Sequence, residues 1–156
     1  MLSNGNVYER NGNIEFVVKR NGNDLKIYML LDGVKIGDMD MKYTKSLESY
    51  DELYSLQKTI IGEDLWGDKV MDNLGNINLK TPHILISWIG IRIDKEKRGY
   101  GKLLFSKGLN FAISTFPNIK WFYLYRFPKE SAKLKHFYSQ FDFIDTGFRG
   151  VMYKIM

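Results

Sequence analysis

Cysteine is absent from the 156 residues, which excludes disulfides, thiolate metal sites and a cysteine nucleophile. Histidine occurs only as His83 and His136, too few for a metal cage built on imidazoles. No stretch approaches the 18 or so apolar residues of a membrane span, and the amino terminus MLSNGNVYERNGN has neither the basic start nor the apolar centre of a signal peptide. A cytoplasmic protein without membrane association is the default expectation. Low-complexity tracts, internal repeats and linkers are not evident either. With 44% hydrophobic and 26% charged residues, residues 1–156 read as one globular domain able to bury a core.

What is present centres on Ile84 to Phe116. Ile84, Ile86, Trp88, Ile89, Ile91 and Ile93 form a β-branched and aromatic run that favours a buried strand. After Gly101, the residues Leu104, Phe105, Leu109, Ala112, Ile113 and Phe116 recur at spacings of three and four, one buried stripe of a helix. The helix should therefore begin near Gly101. Its first amides lack intrahelical partners and lie at the positive end of the macrodipole, with Lys97, Arg98 and Lys102 close in sequence. Such a helix start suits a phosphate or pyrophosphate, and Gly99 and Gly101 let an anion approach without meeting a Cβ.

Two familiar phosphate loops do not fit. A P-loop needs glycine where Glu96 stands and Ser or Thr where Leu103 stands; a dinucleotide fingerprint needs a third glycine at Leu104. On the residues alone, a strand-to-helix turn accounts for the two glycines as well as an anion cradle does.

Ile91 to Leu104 resembles the acetyl-coenzyme A signature of the GCN5-related N-acetyltransferases, a strand followed by Arg/Gln-x-x-Gly-x-Gly/Ala and a helix. The six positions here are Glu96, Lys97, Arg98, Gly99, Tyr100 and Gly101. Glu96 departs from the pattern. Ser131 to Phe143, SAKLKHFYSQFDF, is similar to the family's Asn-x-x-Ala-x-x-x-Tyr-Glu-Lys-x-Gly-Phe segment: Tyr138 and Phe143 match, while Ser131, Leu134 and Asp142 replace Asn, Ala and Gly. The resemblance covers residues 84–156 well and the first half loosely.

The chain before this region reads as an antiparallel meander. Asn4 to Asn13 is rich in Asn and Gly and is expected to be a loose lead-in or turn. Ile14 to Lys19 and Leu25 to Leu31 read as strands joined by a hairpin at Arg20-Asn21-Gly22-Asn23. After Asp32-Gly33, Val34 to Tyr43 is a third strand with a bulge expected at Gly37. This opening differs from the family, where two helices separate the first strands and shape the acceptor site. Residues 46–78 form an insertion, partly helical from Leu47 to Ile61, with seven acids against two lysines. Its charge of −5 lies in a chain of net +5, a balance that fits either a solvated surface segment or attraction of a cationic acceptor. Lys120 to Arg126 should be the fifth strand, Ala132 to Phe141 a helix, and Phe143 to Phe148 with Val151 to Ile155 a hairpin turning near Arg149-Gly150.

The expected fold class is mixed α/β (α+β): a mostly antiparallel central sheet of about six or seven strands flanked by helices. The resemblance implies that the fourth and fifth strands splay apart, and that an acetyl group passes directly from acetyl-CoA to an amine in a ternary complex. It implies a cofactor site formed by Ile91, Ile93, Lys97, Arg98, Gly99, Tyr100, Gly101, Lys102 and Ser131. The pyrophosphate would lie on the amides of residues 97–102, and the thioester carbonyl would be polarised by a main-chain amide near Ile91. Tyr138 would protonate the departing thiolate. For the base, the titrating candidates are His83 at the start of the fourth strand, followed by Asp94; His136 has no assigned role.

The acceptor would be a small-molecule or peptide amine, met by a monomer or homodimer, with no nucleic acid expected. A coenzyme-A-binding module without catalysis is the alternative. A nucleic-acid-binding domain ranks third, because the aromatics fall at core spacings.

Overall fold

The computed structural model describes residues 5–45, 81–92, 99–126, 131–145 and 151–156. In chain order the elements are β1 (Gly5–Asn11), β2 (Ile14–Asn21), β3 (Asp24–Leu31), β4 (Val34–Thr44), β5 (His83–Ile91), α1 (Tyr100–Thr115), β6 (Trp121–Tyr125), α2 (Ser131–Ser139), β7 (Ile144–Asp145) and β8 (Val151–Ile155). The strands follow the order β1-β2-β3-β4-β5-β6-β8-β7 in one sheet. A mixed α+β architecture built on a mostly antiparallel sheet is thus as expected, with one strand more at its start. The expected insertion at 46–78 and the turn at Arg149-Gly150 lie outside the described residues.

The extra strand corrects the expectation of a loose lead-in. Gly5–Asn11 pairs antiparallel with β2, from Gly5 opposite Arg20 to Asn11 opposite Ile14. The tetrapeptide Arg-Asn-Gly-Asn occurs at residues 10–13 and again at 20–23, and both copies make two-residue turns with positive φ at Gly12 and Gly22. The first strand lies at the end of the strand order and is held by backbone pairing with β2, which an apolar run need not announce.

The chain falls into two compact units, the first made of residues 1–43 and 86–118, the second of 44–85 and 119–156. In the first, alternation along the meander buries Phe16, Val18, Leu25, Ile27, Met29, Met39 and Met41. The buried stripe of α1 is Leu104, Phe105, Leu109 and Ala112, continued by Phe116 at its end, whereas Ile113, expected on the stripe, is exposed. Phe111 of α1 meets Phe16 with ring centroids 6.3 Å apart. The expected bulge is present one residue before Gly37: Met29 opposes Gly37 and Leu30 opposes Lys35, leaving Ile36 as the extra residue.

In the second unit, Trp121, Phe122, Tyr123 and Leu124 of β6 are buried, with Val151 and Met152 of β8. Arg126 is hydrogen-bonded to Asp145 of β7, and Lys154 Nζ donates to the Phe141 carbonyl at 3.0 Å just beyond α2.

Candidate active site

The first unit holds a strand end and a helix start that meet at one glycine. A Cβ built on Gly37 would lie 2.6 Å from Ile91 Cδ1, 2.9 Å from the Gly90 carbonyl oxygen and 3.3 Å from Leu104 Cδ2. The missing side chain therefore lets the end of β5 and the first turns of α1 converge. Just past β5, the Arg92 N–H donates to the Ile36 carbonyl at 2.7 Å. Amides alternate sides along an extended chain, so the Ile91 N–H points away from β4. The bulge was legible in the sequence; this convergence at Gly37 was not, since it depends on a contact between residues 54 positions apart.

Gly99 is the residue before α1, with φ 81 and ψ −1 in the left-handed region. Its carbonyl accepts the Leu103 N–H at 3.1 Å, the first bond of the helix. No side chain caps this helix and no acid lies in its first turn. The amides of Tyr100, Gly101 and Lys102 thus have no intrahelical acceptor, and no carboxylate within the first turn offsets the positive end of the dipole. A Cβ built at Gly99 would meet nothing within 4 Å among the described residues, so it is the left-handed backbone rather than crowding that favours glycine there. Tyr100 and Gly101 are half-buried and Lys102 is exposed. Ile93, Lys97 and Arg98, with Asp94 and Glu96, lie outside the described residues.

The second unit holds Tyr138, His83 and Ser131. Tyr138 is 5% exposed on α2, with Phe137 edge-on at 5.3 Å and Phe143 at 6.3 Å between ring centroids. Burial pushes its phenol up to about 12, which keeps it protonated at neutral pH and able to donate. Ser131 begins α2. Asp142, at the position of the family's glycine, has φ 67, the left-handed backbone that glycine adopts without cost.

His83 is wholly buried. Its ring stacks on Trp121 with centroids 4.2 Å apart, and its Nδ1 lies 3.0 Å from the Thr81 carbonyl oxygen. A carbonyl only accepts, so Nδ1 carries the proton and Nε2 the lone pair. Burial lowers its pKa to about 4, with the Thr81 contact opposing the shift. His83 is therefore a neutral imidazole at physiological pH, placed in a core rather than on a surface.

Compared by sequence, the chain matches no protein-family model and no curated protein. Compared by structure, it is similar to Arabidopsis thaliana NAA60 in complex with acetyl-CoA, with a TM-score of 0.56, 15% identity and coverage of 89% of this chain and 80% of that one. An acetyltransferase of the GNAT family from Streptococcus pneumoniae gives a TM-score of 0.53 at 14% identity, covering 87% and 69%. AtaT complexed with acetyl-methionyl-tRNAfMet gives 0.54 at 13%, covering 87% and 73%. The chain has the fold of the GCN5-related N-acetyltransferases. The nucleic-acid-free expectation gains no support here, because AtaT is bound to a tRNA and another similar structure is a KacTA–DNA complex.

Proposed function

We propose that the protein is an acetyl-CoA-dependent N-acetyltransferase acting on a primary amine. The observation that carries this is the start of α1: a helix with neither side-chain cap nor acid in its first turn, led by a left-handed glycine. Those features fit the pyrophosphate of coenzyme A, an anion that backbone amides at a helix start hold well. The amide of Ile91, turned away from β4, fits the donor that polarises the thioester oxygen as negative charge develops.

In the reaction, the amine nitrogen attacks the thioester carbonyl carbon, the C–N bond forms, and collapse of the tetrahedral intermediate breaks the C–S bond. The amine proton leaves to solvent. Tyr138 supplies the proton taken up by the departing thiolate and is reprotonated from solvent. Ile93, Lys97, Arg98, Tyr100, Gly101, Lys102 and Ser131 keep their proposed part in holding the cosubstrate. His83 acts in this scheme only if the core around it opens, so we assign proton removal to water.

One observation favours the alternative of a coenzyme-A-binding module without catalysis: the burial of His83 removes the best titrating candidate for a base. Calorimetric titration with acetyl-CoA, followed by thiol release against amines, separates the two. The panel holds diamines, peptide amino termini, lysine peptides and, given the tRNA in the AtaT complex, aminoacyl-tRNA. Binding with amine-dependent thiol release is expected. Binding without release would select the module, and no binding would overturn both.

A further inference from the structure

Trp88 is 43% exposed in the middle of β5, and its ring does not stand away from the sheet. A Cβ built on Gly90 would lie 2.8 Å from Trp88 Cζ2, 3.2 Å from Cε2 and 3.3 Å from Nε1. The indole therefore lies along its own strand, over a residue that must be glycine for it to do so. At the ring edge, Nε1–H donates to Asp38 Oδ1 at 2.8 Å, and the other oxygen of Asp38 is 3.2 Å from Lys35 Nζ. Glycine within a strand has a cost in stability and weakens the strand. Here that cost goes into laying an aromatic ring on the surface, with its position fixed by a hydrogen bond, instead of burying it.

The position of the ring suggests its use. It covers Gly90, the residue before Ile91, whose amide is assigned above to the thioester oxygen. The face of an indole attracts cations, and donation of its N–H to a carboxylate adds electron density to the ring. The same sheet face already gathers cations on an aromatic ring: the ammonium groups of Lys35, Lys19 and Lys26 lie 5.0, 5.2 and 5.4 Å from the centre of Tyr28. Asp38 and Asp40, next to each other on the outward face of β4, are paired with Lys35 and Lys26 at 3.2 and 3.5 Å, so the attraction for a further cation is that of the indole face.

We infer that the exposed face of Trp88 is the acceptor subsite, and that it takes an acceptor carrying a second, protonated nitrogen apart from the reacting amine, as in a diamine or polyamine. The distant ammonium rests on the indole while the reacting amine, unprotonated, reaches the thioester. This rests on the acetyltransferase function proposed above. An acceptor with one nitrogen cannot do both, because the nitrogen that attacks must be neutral and the one on the ring is favoured by its charge.

Spermidine and n-butylamine test the difference, since they share an alkylamine end and only spermidine has further ammonium groups. The wild-type protein should show a KM for spermidine at least about tenfold below that for butylamine, and Trp88→Ala should raise the spermidine KM by a factor on the order of three to thirty. The butylamine KM and acetyl-CoA affinity should stay unchanged, with Trp88→Phe in between. Equal KM values for the two amines, or a spermidine KM indifferent to Trp88→Ala, would overturn the subsite. Binding is read apart from turnover by the indole N–H resonance that disappears in Trp88→Phe. Spermidine should shift that resonance, and no shift would again overturn the proposal. A shift with no thiol release from any amine would count against the acetyltransferase function and leave the cation subsite standing.

Discussion

Gly37 and Ile91, on neighbouring strands, approach so closely that a Cβ on the glycine would stand 2.6 Å from the isoleucine Cδ1. The Arg92 N–H on the Ile36 carbonyl ties the chain just past β5 to this same part of β4, so an added methyl has to move Ile91 or the helix start at Leu104. Overpacking of this kind costs about 1–3 kcal/mol. Gly37→Ala should weaken acetyl-CoA binding about tenfold in calorimetry, and Ile91→Val, which removes Cδ1, should recover part of the loss in the double variant. Equal affinities for Gly37→Ala and wild type would show that this contact does not position the site.

The helix start itself is tested at Gly101. A glutamate there adds a side chain and a negative charge among the first amides of α1, where the dipole and the phosphate both disfavour it. Gly101→Glu should abolish acetyl-CoA binding while the melting temperature shifts by only a few degrees. Unchanged affinity would remove the anion site from this loop.

Asp142 holds φ 67 at the turn after α2, and its backbone N–H bonds to Ser139 at 3.1 Å whatever the side chain. A left-handed backbone costs an L-residue roughly 1–2 kcal/mol, less for Asp than for most. Asp142→Gly should therefore stabilise the protein by about 0.5–1 kcal/mol in urea unfolding. A fall in stability would mean that the carboxylate contributes more than the backbone costs.

His83 makes stability depend on pH. The folded imidazole is held to about 4 against an ordinary 6.5, so between those values the unfolded chain binds a proton that the folded chain refuses. Stability is full above about pH 6.5 and falls as the pH drops toward 4, by an amount on the order of 3 kcal/mol. Comparing unfolding free energies of wild type and His83→Leu across pH 4–7 isolates this slope. If the two curves run parallel, the imidazole is not the group responsible.

Tyr138, buried and raised to about 12, should remain a proton donor throughout the working range. The kcat of the wild-type enzyme should show no descending limb up to about pH 10, and Tyr138→Phe should lower kcat at least tenfold with acetyl-CoA affinity nearly intact. A variant with full turnover would leave Tyr138 as a packing residue beside Phe143.

Local chemistry was legible in the sequence wherever short-range rules apply. Asn21-Gly22 dictates its hairpin, the run from Ile84 to Ile91 dictates a strand, and the spacing of Leu104, Phe105, Leu109 and Ala112 dictates the buried stripe of α1. Gly99 and Gly101 marked the helix start for the same reason. The edge strand Gly5–Asn11 escaped because its stability comes from pairing with β2, and its own side chains carry no apolar pattern. Only the tertiary structure decided that His83 is buried on Trp121, that Gly37 admits Ile91, and that Gly90 lets the Trp88 indole reach Asp38. Each of these depends on residues from different strands meeting in space. Burial, proton affinity and side-chain orientation are properties of such meetings, and residue order alone does not fix them.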